Sequence, residues 1–400
     1  MRILVATNFH PIPPSDGMQL HLYALLSELR RRHEVLLISP RPERADVDTT
    51  GLASLCSDHI EYALSGAGTP ISRLASEFRT AFSGRSKFVD SVLRSPLRET
   101  VAQSVASFKP DVVHLQSGAA AAIAPIRGTP TVAAPLDADD LNALARIEAA
   151  RGPISRWLAQ REATRFSHFE AEAYAMCDRT VVVTDRDAAA LRKLNPALRP
   201  TVIPNGIDTV MFSPGSIEAS TSTIVFHGAM DYEPNVDAAQ FLVQEILPIV
   251  KDRHPYARVV LAGRRPSRAV RDLSNGDVQV TGELESMVPV LRDATVYVCP
   301  MRVGSGIKNK LLEAMACGRA IVATRLATSG IPIEAGVHAL VEEQAQTIAS
   351  AISDVLEDFQ LRLRLGQAAR ELAEQRSWAS CAEEFETVYA EASAGSRIEQ

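Results

Sequence analysis

The chain of 400 residues is poor in cysteine and shows no cysteine pattern. Its five cysteines are an odd number, lie far apart and include no Cys-x-x-Cys pair. Disulfide frameworks and cysteine-based zinc sites need paired cysteines at regular spacing, so neither is predicted. No spacing of histidine, cysteine and carboxylate side chains resembles a metal site either. The thiols are therefore expected to be reduced, as they are in a cytoplasmic protein.

Long apolar runs and an excess of positive charge are also missing. No run approaches the roughly 18 to 20 apolar residues that span a bilayer. The opening run, Ile3–Ala6, is too short for the core of a signal peptide and is typical of a buried first strand. A net charge of -6 argues against nucleic acid as the main partner, because phosphate binding needs a basic face. We expect a cytoplasmic protein and leave peripheral contact with the inner face of the membrane open.

Two kinds of motif are missing as well. No dinucleotide-binding fingerprint follows the first strand, which makes an oxidoreductase the remotest prediction. No serine within Gly-x-Ser-x-Gly indicates a hydrolase nucleophile.

Short apolar runs alternate with amphipathic stretches through most of the chain, which is typical of parallel βαβ architecture. A length of 400 residues exceeds what one hydrophobic core usually serves, so two α/β domains are predicted. The expected strands of the first half are Ile3–Thr7, Glu34–Ile38, Val112–Leu115, Thr131–Ala134 and Thr180–Val183. Those of the second half are Thr223–Phe226, Arg258–Ala262, Val278–Thr281, Thr295–Cys299 and Ala320–Ala323.

A linker is expected between the two series. The turn Pro204–Gly206 and the stretch Ser213–Ser222, rich in Ser, Thr, Gly and Pro, have the composition of a hinge. The predicted domains are residues 1–205 and 206–379, with a last helix at 380–393 packing back on the first domain. The stretch Ser65–Arg98 is polar, basic and irregular and gives no clear prediction.

The most informative segment follows the predicted strand that ends at Cys299. A loop with Gly304, Ser305 and Gly306 leads into a helix predicted over Lys308–Ala316. Glycines let the backbone approach a ligand closely, and a helix N-terminus attracts anions. The segment therefore suits a diphosphate, although its spacing is neither Gly-x-Gly-x-x-Gly nor that of a P-loop.

Charged side chains on the same helix add to this hypothesis. Lys308 or Lys310 would bring positive charge to a diphosphate, and the carboxylate of Glu313 suits hydrogen bonds to a ribose diol. The alternative is an ordinary βα turn whose glycines only permit a tight bend, with Glu313 solvated. The apolar neighbours of Glu313 in the sequence make an exposed position less natural.

Read together, several segments resemble the family 4 retaining glycosyltransferases of the GT-B fold, an α/β fold in which two Rossmann-like domains face each other across a cleft. These segments occur in order along nearly the whole chain. They are Pro13–Gly17, Val202–Asp208, His227–Asn235, Val280–Gly282, Gly304–Gly318 and Ser377–Trp378. The form with Gly-Ala-Met-Asp-Tyr and Ile-Lys-Asn-Lys resembles a subgroup associated with exopolysaccharide assembly.

The resemblance implies the transfer of a sugar from a nucleotide-diphosphate sugar to a saccharide or lipid-linked acceptor, in polysaccharide or glycoconjugate synthesis. It implies no metal and no cofactor, a donor site in the C-terminal domain and an acceptor site in the N-terminal domain. In the prediction Glu313 holds the ribose, the glycine loop and Lys310 face the diphosphate, and Gly17 closes from the other domain. The predicted donor-binding residues are Gly17, Gly228, Met230, Gly282, Arg302, Gly304, Ser305, Gly306, Lys308, Lys310 and Glu313.

Three positions differ from the family pattern. The family often has a glutamate eight residues before Glu313, where this chain has Ser305. The usual Arg and Lys of the first C-terminal loop are missing from Gly228–Asn235, and the usual His-x-His at one N-terminal strand end ends in Gln116. Arg302, Lys308 and Lys310 are then expected to supply the missing positive charge.

The predicted catalytic residues are Asp137, His114 and Gln116. Asp137 follows a strand, at the sheet edge where α/β proteins collect ligands, and could orient an acceptor or take up its proton. Its alternative role is helix capping. His114 and Gln116 point to the same side of a strand, and the alternative for His114 is a histidine satisfied within the core.

Two other functions stay open. The same scaffold serves nucleotide-sugar epimerases, which would convert the donor without any acceptor. Ser305 and Gln116 also make a non-catalytic sugar-nucleotide-binding protein credible.

Overall fold

The computed structural model describes residues 1–14, 16–42, 49–63, 86–138, 147, 152–215, 222–304 and 306–395. The chain divides into two compact units. The N-terminal unit comprises Met1–Pro204 together with Trp378–Gln400, and the C-terminal unit comprises Asn205–Ser377. Two α/β units with parallel sheets confirm the predicted fold class.

The N-terminal unit is built on a seven-stranded parallel sheet in the order β3-β2-β1-β4-β5-β6-β7. Its central strands are buried along their length, as expected where helices cover both faces of a parallel sheet. The strands are β1 (Arg2–Thr7), β2 (Glu34–Pro40), β3 (Asp58–Tyr62), β4 (Val112–Gln116), β5 (Thr131–Leu136), β6 (Arg179–Val182) and β7 (Thr201–Val202).

Helices of the N-terminal unit connect these strands and cover the sheet. The first begins directly after Asp16, whose carboxylate accepts a hydrogen bond from the amide of Gln19 and so caps the helix. The α-helices are α1 (Gly17–Arg32), α2 (Leu52–Leu55), α3 (Lys87–Arg94), α4 (Leu97–Phe108), α5 (Pro153–Ala173) and α6 (Asp185–Leu194). The last described helix, Trp378–Gly395, packs on α1, where the fully buried ring of Phe385 lies edge-on to the ring of His21.

The C-terminal unit has a six-stranded sheet in the order β10-β9-β8-β11-β12-β13. These strands are β8 (Thr223–His227), β9 (Arg258–Ala262), β10 (Val278–Val280), β11 (Val296–Cys299), β12 (Ile321–Ala323) and β13 (Leu340–Val341). Their helices are α7 (Glu233–Phe241), α8 (Leu247–Arg253), α9 (Arg268–Arg271), α10 (Val288–Arg292), α11 (Asn309–Ala316), α12 (Arg325–Thr328), α13 (Ala345–Glu357) and α14 (Phe359–Glu374). Because β8 and β11 pair directly, their carboxyl ends lie side by side.

The predicted strands are all present, with ends that differ by one or two residues. The strands that the sequence did not reveal are β3, β7 and β13, which are sheet edges with partly exposed residues and so lack a continuous apolar run. Part of the stretch Ser65–Arg98 lies outside the described residues, and its end forms α3.

One long helix has an irregularity that the sequence explains. Helices α7 and α8 are joined by a π-helical turn, Leu242–Ile246, and form one continuous helical segment with it. Pro248 follows that turn and has no backbone N–H, so the regular hydrogen bond to the preceding turn cannot form.

Candidate functional site

The carboxyl ends of β8 and β11 bring several predicted donor-site residues together in the C-terminal unit. His227 ends β8 and Gly228 follows it, while the loop after Cys299 leads into α11. Ligands of open parallel sheets bind at this edge, outside the carboxyl ends of the strands.

Lys310 lies in the first turn of α11 and is the central cation of this group. Its ammonium hydrogen-bonds the side-chain oxygen of Asn235 and lies 3.8 Å from the sulfur of Met301 and 4.9 Å from the ring centroid of Phe226. All these partners are neutral, and no carboxylate of the described residues forms an ion pair with Lys310. Burial lowers the pKa of Lys310 to about 8.

Gly228 leaves room beside that ammonium. A Cβ built on Gly228 would lie 3.0 Å from Nζ of Lys310 and 2.7 Å from Nδ2 of Asn235, and its backbone φ of 153° favours glycine. The neighbouring Gly263 is under a stronger constraint, because its Cβ would lie 1.8 Å from the carbonyl oxygen of Gly228. Two loops of this edge therefore touch through their backbones, and only glycine fits at the contact.

Glu313 lies one turn further along α11 and is held by a histidine. One carboxylate oxygen, Oε2, is 2.7 Å from Nε2 of His227, whereas Oε1 has no hydrogen-bond partner in the described part of the chain. The side chain of Glu313 is 17% exposed, so it is neither a solvated surface group nor sealed in the core. His227 in turn packs edge-on against the ring of Tyr297, which fixes its orientation.

The glycine loop has the backbone conformation that its residues suggest. Gly304 and Gly306 have φ values of 120° and 64°, in the region that favours glycine. The ammonium of Lys308 donates a hydrogen bond to the carbonyl of Gly306 at 2.8 Å and is largely buried. Lys308 therefore stabilises the loop by this hydrogen bond. Ser305 lies outside the described residues.

Three further residues predicted for the donor site have other surroundings. Arg302 pairs with Asp237 at 2.7 Å and with Glu245 at 3.6 Å, so its charge is already offset by carboxylates. The side chain of Met230 is fully buried in the core, and its backbone N–H and carbonyl already form hydrogen bonds with the backbones of Arg264 and Ser267. Gly282 has a φ of 71° and open space where a side chain would be.

The residues predicted for the N-terminal domain are spread over three strand ends and loops. Gly17 opens helix α1, and Asp137 follows β5. His114 and Gln116 are fully buried on β4, where His114 Nε2 is 2.8 Å from Oε1 of Gln116. The other ring nitrogen of His114, Nδ1, is 2.7 Å from the hydroxyl of Tyr389. This geometry favours the alternative role of a histidine satisfied in the core, and burial lowers the pKa of His114 to about 4.

The sequence did not indicate several contacts that shape the site, although His227, Asn235 and Asn205 lie in segments that resemble the family. His227, Asn235 and Gly263 make their contacts only through the fold, since each partner lies far away in the sequence. The same holds for Asn205, in the turn predicted as a hinge. Its side-chain amide donates a hydrogen bond to Oδ1 of Asn309 at the start of α11, a contact that only the fold brings about.

Comparison with known proteins agrees with this architecture. Residues 15–210 match the model of Glycosyltransferase Family 4, and residues 221–358 match that of Glycosyl transferases group 1. The chain belongs to the family 4 glycosyltransferases. The chain has the GT-B fold, as predicted, whereas its assignment to an exopolysaccharide subgroup stays a prediction.

Among the similar curated proteins is a phosphatidyl-myo-inositol mannosyltransferase of Mycolicibacterium smegmatis. It is 28% identical over 198 residues, which are 47% of this chain and 50% of the relative. A D-inositol 3-phosphate glycosyltransferase of Saccharomonospora viridis is 29% identical over 57% of this chain and 59% of its own length. The chain thus spans about half the length of the curated relatives it matches.

Solved structures resemble the whole chain. Sucrose-phosphate synthase from Thermosynechococcus elongatus has a TM-score of 0.73 at 18% identity and covers 99% of this chain and 100% of its own. HepE from Anabaena, in complex with UDP and glucose, has a TM-score of 0.66 at 15% identity over 97% of this chain and 99% of its own. At these identities the structures establish the fold. No helix among the described residues has both the length and the hydropathy to cross a bilayer.

Proposed function

We propose that the protein transfers a sugar from a nucleoside-diphosphate donor to an acceptor hydroxyl with retention of configuration, and that its C-terminal unit holds the donor. One observation carries the proposal. Lys310 is a desolvated cation whose partners are neutral, it lies beside Gly228, and Glu313 follows it on the same helix. A diphosphate is the ligand that would give this ammonium the counter-charge it lacks.

The roles of the two side chains follow from their chemistry. Lys310 would offset the negative charge that builds up on the diphosphate as it leaves, which is stabilisation of the transition state rather than of the substrate. Glu313 would accept hydrogen bonds from the ribose hydroxyls through Oε1, while His227 keeps Oε2 in place. Protein cations and the N-terminus of α11 would thus offset the charge of the diphosphate, so that no metal ion is needed for this purpose.

Retention is proposed to occur by front-side attack. The bond between the anomeric carbon and the diphosphate oxygen breaks while the bond to the acceptor oxygen forms on the same face. The acceptor proton passes to an oxygen of the leaving diphosphate, so no protein nucleophile is required. Asp137 stays a candidate for orienting the acceptor.

The relatives suggest a narrower choice of substrates. Two of them are named for transfer to phosphatidyl-myo-inositol or to D-inositol 3-phosphate, and a structural neighbour binds UDP and glucose. Mannosyl and glucosyl nucleotides are therefore the first donors to test, and inositol phosphates the first acceptors beside saccharides.

A lipid-linked acceptor has support from the surface of α5. Ile154, Trp157 and Leu158 are 75%, 55% and 53% exposed in its first turns, and the guanidinium of Arg161 lies 5.3 Å from the Trp157 ring centroid. Apolar groups beside a cation suit the interface of an anionic membrane. We expect Trp157→Ala to reduce sedimentation with vesicles containing anionic lipid, whereas Val210→Ser, at an apolar residue 88% exposed in the other unit, leaves it unchanged. If the two variants sedimented equally with the vesicles, the exposed apolar residues of α5 would not bind the membrane.

The transfer itself is tested with a panel of uridine and guanosine diphosphate sugars and the acceptors above. We expect an active donor–acceptor pair whose product keeps the anomeric configuration of the donor, as read by NMR coupling constants. Lys310→Met and Glu313→Gln should each lower kcat/KM by about 100-fold, as the loss of one preorganised charge does. Lys251→Met is the matched control, because its ion pair with Asp277 lies at the surface and contributes little.

Three results would contradict the proposal. An inverted product would exclude front-side attack, and full activity of both variants would remove their roles. Conversion of the donor into an isomeric sugar nucleotide without acceptor would indicate an epimerase instead.

A further inference from the structure

Three side chains that commonly bind metals meet in the N-terminal unit, and none of them is among the residues predicted for transfer. His10 lies in the loop after β1, and His59 and Glu61 lie two residues apart on the edge strand β3. One potential ligand atom of each lies within 4.8 Å of the other two. The sequence could not suggest this group, because the fold alone brings His10 to β3.

The hydrogen bonds of His10 leave one nitrogen as a buried acceptor. Nδ1 lies 2.7 Å from the carbonyl oxygen of Ile12 and 3.2 Å from the amide nitrogen of the same residue, and the shorter of these contacts is favourable only if Nδ1 carries the proton. Nε2 then has a lone pair, and it is buried without a partner in the described part of the chain. The residue as a whole is 7% exposed. A buried ring nitrogen that accepts no hydrogen bond destabilises the folded protein, and a bound cation would remove this cost.

His59 is oriented in a similar way. Its Nε2 lies 2.9 Å from the hydroxyl oxygen of Ser39, and that hydroxyl donates its hydrogen to the carbonyl of Pro40 at 3.2 Å. Nε2 of His59 is therefore the donor, which leaves its Nδ1 as the nitrogen with a lone pair. Histidines that ligate metals characteristically donate their other N–H to a carbonyl or hydroxyl in this manner.

We propose that His10 Nε2, His59 Nδ1 and a carboxylate oxygen of Glu61 bind one divalent metal ion of the Zn²⁺ type. Two imidazoles and a carboxylate form a common set for zinc, with metal–ligand distances of about 2.0 to 2.2 Å and a fourth position for water. Glu61 is exposed and gives the ion access from solvent.

Such an ion would have a structural effect. It would tie the loop after β1, which leads to Asp16 and helix α1, to the free edge of the sheet at β3. Its three ligand residues are not among those proposed to bind the donor or the acceptor, so metal binding can be tested separately from sugar transfer.

The experiment uses the full chain, stripped of metal with a chelator and titrated with Co²⁺ and then Zn²⁺. We expect one equivalent of Co²⁺ to give the visible absorption of a tetrahedral complex, Zn²⁺ to displace it, and the thermal unfolding temperature to rise with Zn²⁺. His10→Ala and His59→Ala should weaken binding by about 100-fold, and Glu61→Gln by about tenfold. His338→Ala, at a histidine of the other unit, should leave binding unchanged and controls for surface histidines.

Failure of the stripped protein to bind Co²⁺ or Zn²⁺ would overturn the proposal. Equal binding by the wild type and Glu61→Gln would also overturn it, and this exposed substitution tests the site even if a histidine variant does not fold.

Discussion

At the scale of single residues, the site depends on a lysine without a carboxylate partner. Arg302 and Lys310 lie on the same βα segment, yet Arg302 is offset by Asp237 and Glu245, whereas the described partners of Lys310 are neutral. An ammonium that forms no ion pair within the protein can form one with an anionic ligand. This difference in partners, and not the number of cations in the segment, distinguishes Lys310 from Arg302.

The lowered pKa of Lys310 predicts how binding depends on pH. Above about 8 the free protein has a neutral Lys310, so a diphosphate must bind together with a proton, and affinity falls as pH rises. We expect UDP or GDP affinity to fall about tenfold between about pH 8 and pH 9.5, and Lys310→Met to bind weakly without this dependence. Calorimetric titrations across this range measure it. A wild-type affinity that stays flat would show that the ammonium does not meet the diphosphate.

A second residue-scale prediction concerns His114, whose buried ring is held by Tyr389. Tyr389→Phe removes the hydroxyl and leaves Nδ1 of His114 unpaired in the core, which should cost about 1 to 3 kcal/mol of unfolding free energy. Both tryptophans of the chain lie in the N-terminal unit, so their fluorescence reports its unfolding in urea. Tyr256→Phe, at a tyrosine that is 88% exposed, is the control. Equal stability of the two variants would show that the hydrogen bond is not important.

Residue types and spacing predicted part of the site. Gly304, Gly306, Lys310 and Glu313 stand in one short segment, and a single strand–loop–helix unit brings them together. The histidine that holds Glu313 could not be recognised in this way, because that contact joins β8 to α11.

At the scale of elements, the contact between the loops after β8 and β9 fixes the edge of the donor site. Gly263→Ala would place its Cβ 1.8 Å from the carbonyl oxygen of Gly228, at a φ of 142°. We expect a loss of about 3 kcal/mol or more of unfolding free energy, measured by circular dichroism in urea. Gly276→Ala has nothing within 4 Å of its Cβ and should change stability by less than about 0.5 kcal/mol. A similar small effect for both would mean that the two loops move apart freely.

The elements themselves were largely predictable where strands are buried. Continuous apolar runs such as those of β1, β8 and β11 are readily predicted as buried strands when amphipathic helices flank them in the sequence. The edge strands β3 and β13 escaped prediction because edges need less apolar surface. The proposed metal site escaped prediction because the fold alone brings His10 to His59 and Glu61 on β3.

At the scale of the whole molecule, the two α/β units were predictable from length and from two series of strands. The assignment of acceptor binding to one unit and donor binding to the other follows from family resemblance and stays a prediction. Substrate identity depends on loops whose sequence follows no period, so physical patterns alone could not supply it.

The most direct test of the account compares nucleoside diphosphates with their nucleosides in calorimetric titrations of the full chain. We predict that UDP or GDP binds more tightly than its nucleoside. Lys310→Met should weaken the diphosphate about tenfold or more without affecting the nucleoside, and Glu313→Gln should weaken both, because charged hydrogen bonds of this kind contribute about 1.5 to 3 kcal/mol. The account is contradicted if no diphosphate binds, or if the diphosphate binds Lys310→Met as tightly as the wild type.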